Sequence, residues 1–343
     1  MAVKSDLFLS DIHYFNFMFT INLKNDTHFS CAPEDTILVG AQKDNITLDY
    51  SCRTGRCQSC KAKVVKGTSF AIAEEIGLTQ QDKSKGYILT CIRNPTSDLT
   101  LEIEDLSGYL LEKVKTIPCK INLISKISSN IIELHLRIPP NASFRYLSGQ
   151  HINIIKGDYK RSYSIAKTNS ASNLVFFIKN YGEGRFSSYL FNEAKINDLL
   201  RIEGPIGTFF YRKTIKTNIV FFATGTGIAP IKAILEQMDE NNGELINKNI
   251  FLFFGGRKEE DLFWKPDFKN IKVNFTPVLS RSASDWKGAT GYVQDIVLSK
   301  KIDLSDTVLY ACGSENMIKD SRKLAIENGL SEDAFYSDVF VSS

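Results

Sequence analysis

The chain has 343 residues, 43% of them hydrophobic, with 42 Lys and Arg against 39 Asp and Glu. That length calls for two or three cores, and a net charge of +3 gives no reason to expect a nucleic-acid or membrane partner. No apolar run reaches membrane-span length, and seven cysteines with no disulfide pattern point to a reducing, cytoplasmic setting.

In chain order, the apolar stretch Ile12–Ile21 follows Asp6 and Asp11 rather than a basic segment, so it does not read as a signal peptide. Phe17–Leu23 and His28–Cys31 read as a hairpin turning at Asn25-Asp26. Thr36–Lys43 reads as a short helix, started by Pro33-Glu34-Asp35. Next come Cys52, Cys57 and Cys60 in the spacing C-x4-C-x2-C, with a distant fourth cysteine, Cys91. This is the plant-type ligand pattern of a [2Fe-2S] cluster. A structural zinc site would use short C-x2-4-C pairs on both sides, and here one side is a lone cysteine. Gly55 gives the loop room where its N–H groups must approach the inorganic sulfurs. Lys61–Gly67 and Leu99–Ile103 are the strands expected around the loop.

Residues 105–118 read as a linker. Strand-like runs follow at 119–127, 131–138, 151–155, 162–166 and 174–179, the pattern of a small antiparallel barrel. From Asn218 the texture changes to buried-type strands at 219–223, 250–254, 273–278 and 308–311, separated by helical segments such as Ile231–Met238. That alternation argues for a parallel α/β sheet. The expected fold is therefore multidomain α+β and α/β, with a small ferredoxin-like sheet over 1–108, an antiparallel barrel over 115–212 and a parallel α/β module over 213–343.

Charge is uneven across these modules: 11 basic against 14 acidic residues fall in 1–110, and 31 against 25 in the remainder. The cluster loop is locally basic, with Arg53, Arg56, Lys61, Lys63 and Lys66, which reads either as a solvated loop or as a docking rim for an acidic electron acceptor.

Four further motifs carry chemistry. Arg161-Ser162-Tyr163-Ser164 lies on a strand, whose period of two puts Arg161 and Tyr163 on one face and the serines on the other. In Gly184-Arg185-Phe186-Ser187 a glycine turn opens a helix whose first N–H groups, with the Ser187 and Ser188 hydroxyls, could hold a phosphate. Gly225-Thr226-Gly227-Ile228-Ala229-Pro230 joins a strand to a helix, with glycines for a tight turn near a pyrophosphate and Pro230 in the first helical turn. Cys312-Gly313 ends a strand, where open α/β sheets bind their ligands. The commoner role of such a cysteine is as a small buried residue.

These motifs together resemble the ferredoxin–NAD(P)⁺ reductase superfamily over almost the whole chain. The resemblance implies a flavin, FAD, with Arg161 on its phosphate, Tyr163 against it, Ser162 beside them and Ser164 near its N5. It implies a second phosphate element at Gly184 to Ser187, a pyridine-nucleotide site at Gly225 to Pro230 and Cys312-Gly313, and Phe340 stacked on the isoalloxazine. Ser164, Cys312 and Phe340 would then surround the reacting atoms. Ser280-Arg281, with Tyr292 downstream, resembles the phosphate-binding pair of NADP-preferring relatives and leaves the choice between NADH and NADPH open. The module order is that of single-chain reductases passing electrons from NAD(P)H through FAD and a [2Fe-2S] cluster to a partner enzyme. Tyr50-Ser51-Cys52, Tyr146–Gln150, Leu200–Phe210 and Trp286–Val293 point among these to reductases that serve a pyridoxamine-phosphate-dependent CDP-sugar dehydratase. The alternatives are the reductase of an aromatic oxygenase and a non-catalytic iron–sulfur scaffold or sensor.

Overall fold

A computed structural model describes residues 17–168, 172–182 and 184–340; residues 12–16 of the apolar stretch 12–21 lie outside them. The chain divides into two compact units, residues 1–48 with 60–107, and residues 49–59 with 108–343.

In the first unit, β1 (Phe19–Leu23) and β2 (His28–Cys31) form the expected hairpin, with Asp26 left-handed in the turn. Helix α1 (Ile37–Lys43) starts where Thr36 accepts a hydrogen bond from the Val39 N–H, an N-cap that satisfies a first-turn donor. Then come β3 (Lys61–Lys66), β4 (Ser69–Ala71), the one-turn helix α2 (Gln80–Ser84), β5 (Tyr87–Leu89), β6 (Arg93–Pro95) and β7 (Leu99–Glu102). The sheet runs β2-β1-β7-β3-β5, with β4 and β6 as a separate pair. Alternation along β1 and β7 buries Ile21, Leu23, Leu99 and Leu101, and α1 buries Ile37 and Leu38 while packing on β2 and β6. This is the small mixed sheet crossed by a helix that the pattern called for.

The second unit opens its barrel with β8 (Lys115–Lys126), which begins inside the stretch expected to be linker because Ile117, Cys119 and Ile121 already alternate inward. It continues with β9 (Ile131–Arg137), β10 (His151–Lys156), β11 (Tyr159–Ser164), β12 (Asn173–Lys179), helix α3 (Arg185–Asn192) and β13 (Leu199–Ile206). The order β11-β10-β13-β8-β9-β12 is antiparallel at every pairing, and the two outer strands lie against each other, curling the sheet toward closure.

The parallel part follows with β14 (Asn218–Thr224), α4 (Ile228–Glu240), β15 (Asn249–Gly256), β16 (Val273–Leu279), β17 (Ala289–Thr290), α5 (Val293–Ser299), β18 (Thr307–Ser314), α6 (Glu315–Glu327) and β19 (Phe335–Phe340). Every pairing in the order β17-β16-β15-β14-β18-β19 is parallel. Period two divides β14 between two cores. Ile219, Phe221 and Ala223 pack toward α4, while Val220 and Phe222 pack toward α5 and α6. A sheet covered on both faces needs such continuous apolar strands.

Candidate flavin, nucleotide and cluster sites

The loop bearing Cys52 and Cys57 is bent by three left-handed residues, Arg53, Gly55 and Gln58. Glycine takes that conformation without strain, and the other two are held in it by their surroundings. The bends aim backbone donors at sulfur: the Cys52 N–H lies 3.4 Å from Cys57 Sγ, and the Thr54 N–H 3.4 Å from Cys52 Sγ. The Cys57 thiol donates to Cys52 and, with Thr54 and the Arg56 N–H, holds Cys52 well below the usual thiol range, while Cys57 itself is pushed up. Soft thiol ligands ringed by N–H donors fit an iron–sulfur cluster, whose potential such hydrogen bonds tune.

Cys57 is 3% exposed and packs in the apolar cluster of Val220, Phe222, Val339 and the α5–α6 face. In the first unit, Cys60 and Cys91 are buried, and the Thr90 N–H donates to the Cys60 carbonyl at 3.1 Å. Among the described residues, no three His, Cys, Asp or Glu side chains are gathered into a metal-holding group.

On the barrel, β11 presents its motif unevenly. Arg161 and Ser162 are exposed, Tyr163 is half-buried beside Phe186, and Ser164 is buried. Among the described residues the exposed Arg161 guanidinium bonds to the neighbouring Lys160 carbonyl at 2.9 Å, which leaves its charge facing solvent. Ser162 donates to Asn153 at 2.7 Å, which turns its hydroxyl along the sheet. Gly184 sits at the N-cap of α3, and no side chain caps that end. First-turn N–H groups without a capping side chain are the kind of donors a phosphate can take. The Ser187 hydroxyl instead donates to the Gly184 carbonyl at 2.8 Å, and Phe186 turns into the barrel core.

At the carboxyl ends of the parallel strands, Gly225–Gly227 form a tight turn into α4. A Cβ on Gly227 would sit 2.2 Å from the Cys312 carbonyl oxygen, so only glycine lets the turn close onto β18. Thr226 is half-buried in that turn, and Pro230 is buried in the first turn of α4. Cys312 has no exposed surface, and burial drives its thiol pKa far up. Phe340 ends β19 in register with Ser314 and packs partly against the α4-side core. Ser280 directs its hydroxyl and N–H to the Gly256 carbonyl, and the Arg281 N–H donates to Arg257. Two exposed arginines thus end neighbouring strands, and Tyr292, 62% exposed, caps α5 nearby in the chain.

Several polar residues at these sites carry no motif. Asp338 is 5% exposed and uses both carboxylate oxygens, accepting from Ser51 Oγ at 2.6 Å and from Ser164 Oγ at 3.4 Å. His151 lies opposite Ser164 in the β10–β11 register, and burial lowers its pKa. Arg212 and Arg257 likewise stand in no pattern, and Thr208 lies in the stretch Leu200–Phe210 with no role of its own read from it. The available signal for Asp338 is a lone acid in the aromatic-rich strand Phe335–Phe340, a stretch that resembles the family's C-terminal tail.

The oxidoreductase NAD-binding domain family matches residues 221–323, the oxidoreductase FAD-binding domain family 118–211, and the 2Fe-2S iron–sulfur cluster binding domain family 19–96. The chain is 39% identical over 322 residues to the CDP-6-deoxy-L-threo-D-glycero-4-hexulose-3-dehydrase reductase of Yersinia pestis, covering 92% of this chain and 96% of that one. It belongs to the ferredoxin–NAD(P)⁺ reductase family of iron–sulfur flavoproteins. The reductase is also 33% identical to protein RfbI of Salmonella typhimurium over 325 residues, 93% of this chain and 95% of that one. Its fold matches the crystal structure of an Amycolatopsis cytochrome P450 reductase with a TM-score of 0.71 and 19% identity, over 94% of this chain and 99% of that one. The reductase is an NAD(P)H-dependent oxidoreductase with FAD and a [2Fe-2S] cluster as its cofactors. Among the described residues no helix is long and apolar enough to cross a membrane.

Proposed function

We propose that the reductase delivers electrons to a pyridoxamine-phosphate-dependent dehydratase that removes the C3 oxygen of CDP-4-keto-6-deoxyglucose, a step toward 3,6-dideoxyhexoses. The observation that carries this is the 39% identity, held over 92% of the chain, to a reductase named for such a dehydrase. The cofactors supply a conversion of one two-electron donation into two single-electron ones.

The chain's own residues bind and orient. In this reading Cys52, Cys57, Cys60 and Cys91 hold the cluster, within a module spanning 1–108. Arg161 and the open N-terminus of α3 receive the flavin's phosphates, with Tyr163 and Ser164 along its ring, in a module spanning 115–212. The turn Gly225–Gly227 admits the coenzyme's pyrophosphate in a module spanning 213–343, and Arg281, with Arg257 beside it, supplies positive charge for a coenzyme phosphate. Cys312 would shape the nicotinamide end of the site, and Phe340 would give way there to admit the coenzyme. An exposed arginine and helix N–H groups without a capping side chain support the phosphate roles, and the N–H groups aimed at sulfur support the cluster role.

The test is to reduce the reductase anaerobically with NAD(P)H, then add the dehydratase and its CDP-sugar. Re-oxidation of flavin and cluster that requires both additions is expected. Normal reduction with no re-oxidation would sink the sugar assignment and leave an oxygenase as the electron acceptor to seek.

A further inference from the structure

The cysteine loop 49–59 is fastened within the second unit by a set of polar contacts that span its length. Near its start, the Tyr50 N–H donates to Thr208 Oγ1 at 2.8 Å, the Thr208 N–H donates to the Tyr50 carbonyl at 3.2 Å, and Arg212 pairs with Asp49 at 2.8 Å. At its end, the Ser59 hydroxyl donates to the Ser337 carbonyl at 3.0 Å. Between them Ser51, 7% exposed and adjacent to Cys52, donates to Asp338 at 2.6 Å. The other oxygen of that carboxylate accepts from Ser164, on the strand of the flavin motif. The Ser51 bond, at 2.6 Å to a buried carboxylate, is of the short, charge-assisted kind, while the Ser164 contact, at 3.4 Å, is longer and weaker. Ser51–Asp338–Ser164 is therefore a continuous link from the residue preceding a cluster cysteine to the flavin-facing serine.

We propose that Ser51 is a positioning residue for electron transfer: its hydroxyl, through Asp338, holds the Cys52–Cys57 loop at the flavin end of β11. The inference rests on the assignment of Ser164 to the flavin made above. The step it serves is balanced: reduced flavin loses one electron, and the oxidised cluster gains it. Tunnelling falls steeply with separation, so a loop that spends less time docked passes electrons more slowly, while hydride transfer into the flavin is untouched.

The test is Ser51→Ala and Ser51→Thr in the cofactor-loaded reductase. Stopped-flow absorbance follows flavin bleaching and cluster reduction separately, and hydrogen exchange reads residues 49–59 directly. The expected result for Ser51→Ala is cluster reduction slowed about tenfold at an unchanged flavin-bleaching rate, with faster exchange in the loop. Ser51→Thr, which keeps the hydroxyl, restores both. Unchanged cluster reduction in Ser51→Ala would overturn the proposal. So would equal slowing of both phases, an equal defect in Ser51→Thr, or loss of the cluster's own absorbance. Failure of the parent protein's flavin to bleach with NAD(P)H would instead strike at the site assignment, which separates the two.

Discussion

The reductase holds its two cysteine-bearing segments by opposite means. Cys91 lies in a single 3-10 turn, Thr90–Ile92, between two short strands of the first unit. Beside it one ion pair between buried Glu75 and half-buried Arg93 dominates: Arg93 grips Glu75 with two nitrogens at 2.7 and 3.0 Å, and the same carboxylate accepts the Leu89 N–H at 3.0 Å. The loop 49–59 of the second unit has no regular structure and is held by many small contacts, from Asp49 to Ser59. A turn locked by one ion pair is strong but fails all at once, because removing Arg93 leaves the Glu75 carboxylate buried without its cation. A loop held by distributed hydrogen bonds loses them singly, at about 1 kcal/mol each.

The contrast predicts a graded set of losses. Arg93→Met strands the buried Glu75 carboxylate and should cost about 3 kcal/mol, the largest effect. Urea unfolding of the full chain, read by hydrogen exchange over 60–107, checks it, and a loss below 1 kcal/mol would remove the contrast. Acid attacks the same clamp more gently, since both partners stay in place. Burial alone would raise Glu75 and Asp82 above their ordinary values of 4.5 and 3.8. Arg93 and the Leu89 N–H outweigh it for Glu75, as Lys61 and Thr79 do for Asp82, and both carboxyls are held below the ordinary value. Their stabilisation is therefore complete above those ordinary values and is lost as pH falls through the lowered folded ones. The urea midpoint should drop below about pH 4.5, and Glu75→Gln should flatten that drop. Arg212→Met comes next. It removes a buried guanidinium from Asp49 and the Thr208 carbonyl and should cost about 2 kcal/mol, with exchange rising at 49–51 and leaving 60–107 unchanged. Ser59→Ala is the smallest, about 1 kcal/mol, visible only as faster exchange at 57–59.

How much of this was readable in the residues follows the same division. Strands 219–223 and 250–254 are continuous apolar runs, and the cysteine spacing announces its chemistry, so sheet, modules and cofactors stand in the sequence. Short elements do not: α2 has a good capping box, Thr79 with Asp82, but its five residues carry no apolar face to detect. The linker reading of 105–118 fails from Lys115, where inward alternation outweighs the exposed Pro118. Glu75–Arg93 and Ser51–Asp338 escape for a deeper reason. They join residues 18 and 287 positions apart, respectively, and a pairing of single polar side chains leaves no periodicity in the chain.

The excursion of residues 49–59 into the second unit has a consequence for how such a protein diversifies. A recombination cut near residue 107 would appear to release a self-contained electron carrier, yet it parts Tyr50, Ser51 and Ser59 from Thr208, Asp338 and Ser337. A foreign carrier spliced in its place inherits anchors shaped for another loop. Lineages that swap this module must therefore change positions 208, 212 and 338 along with it, so the real unit of exchange is the carrier plus three distant residues.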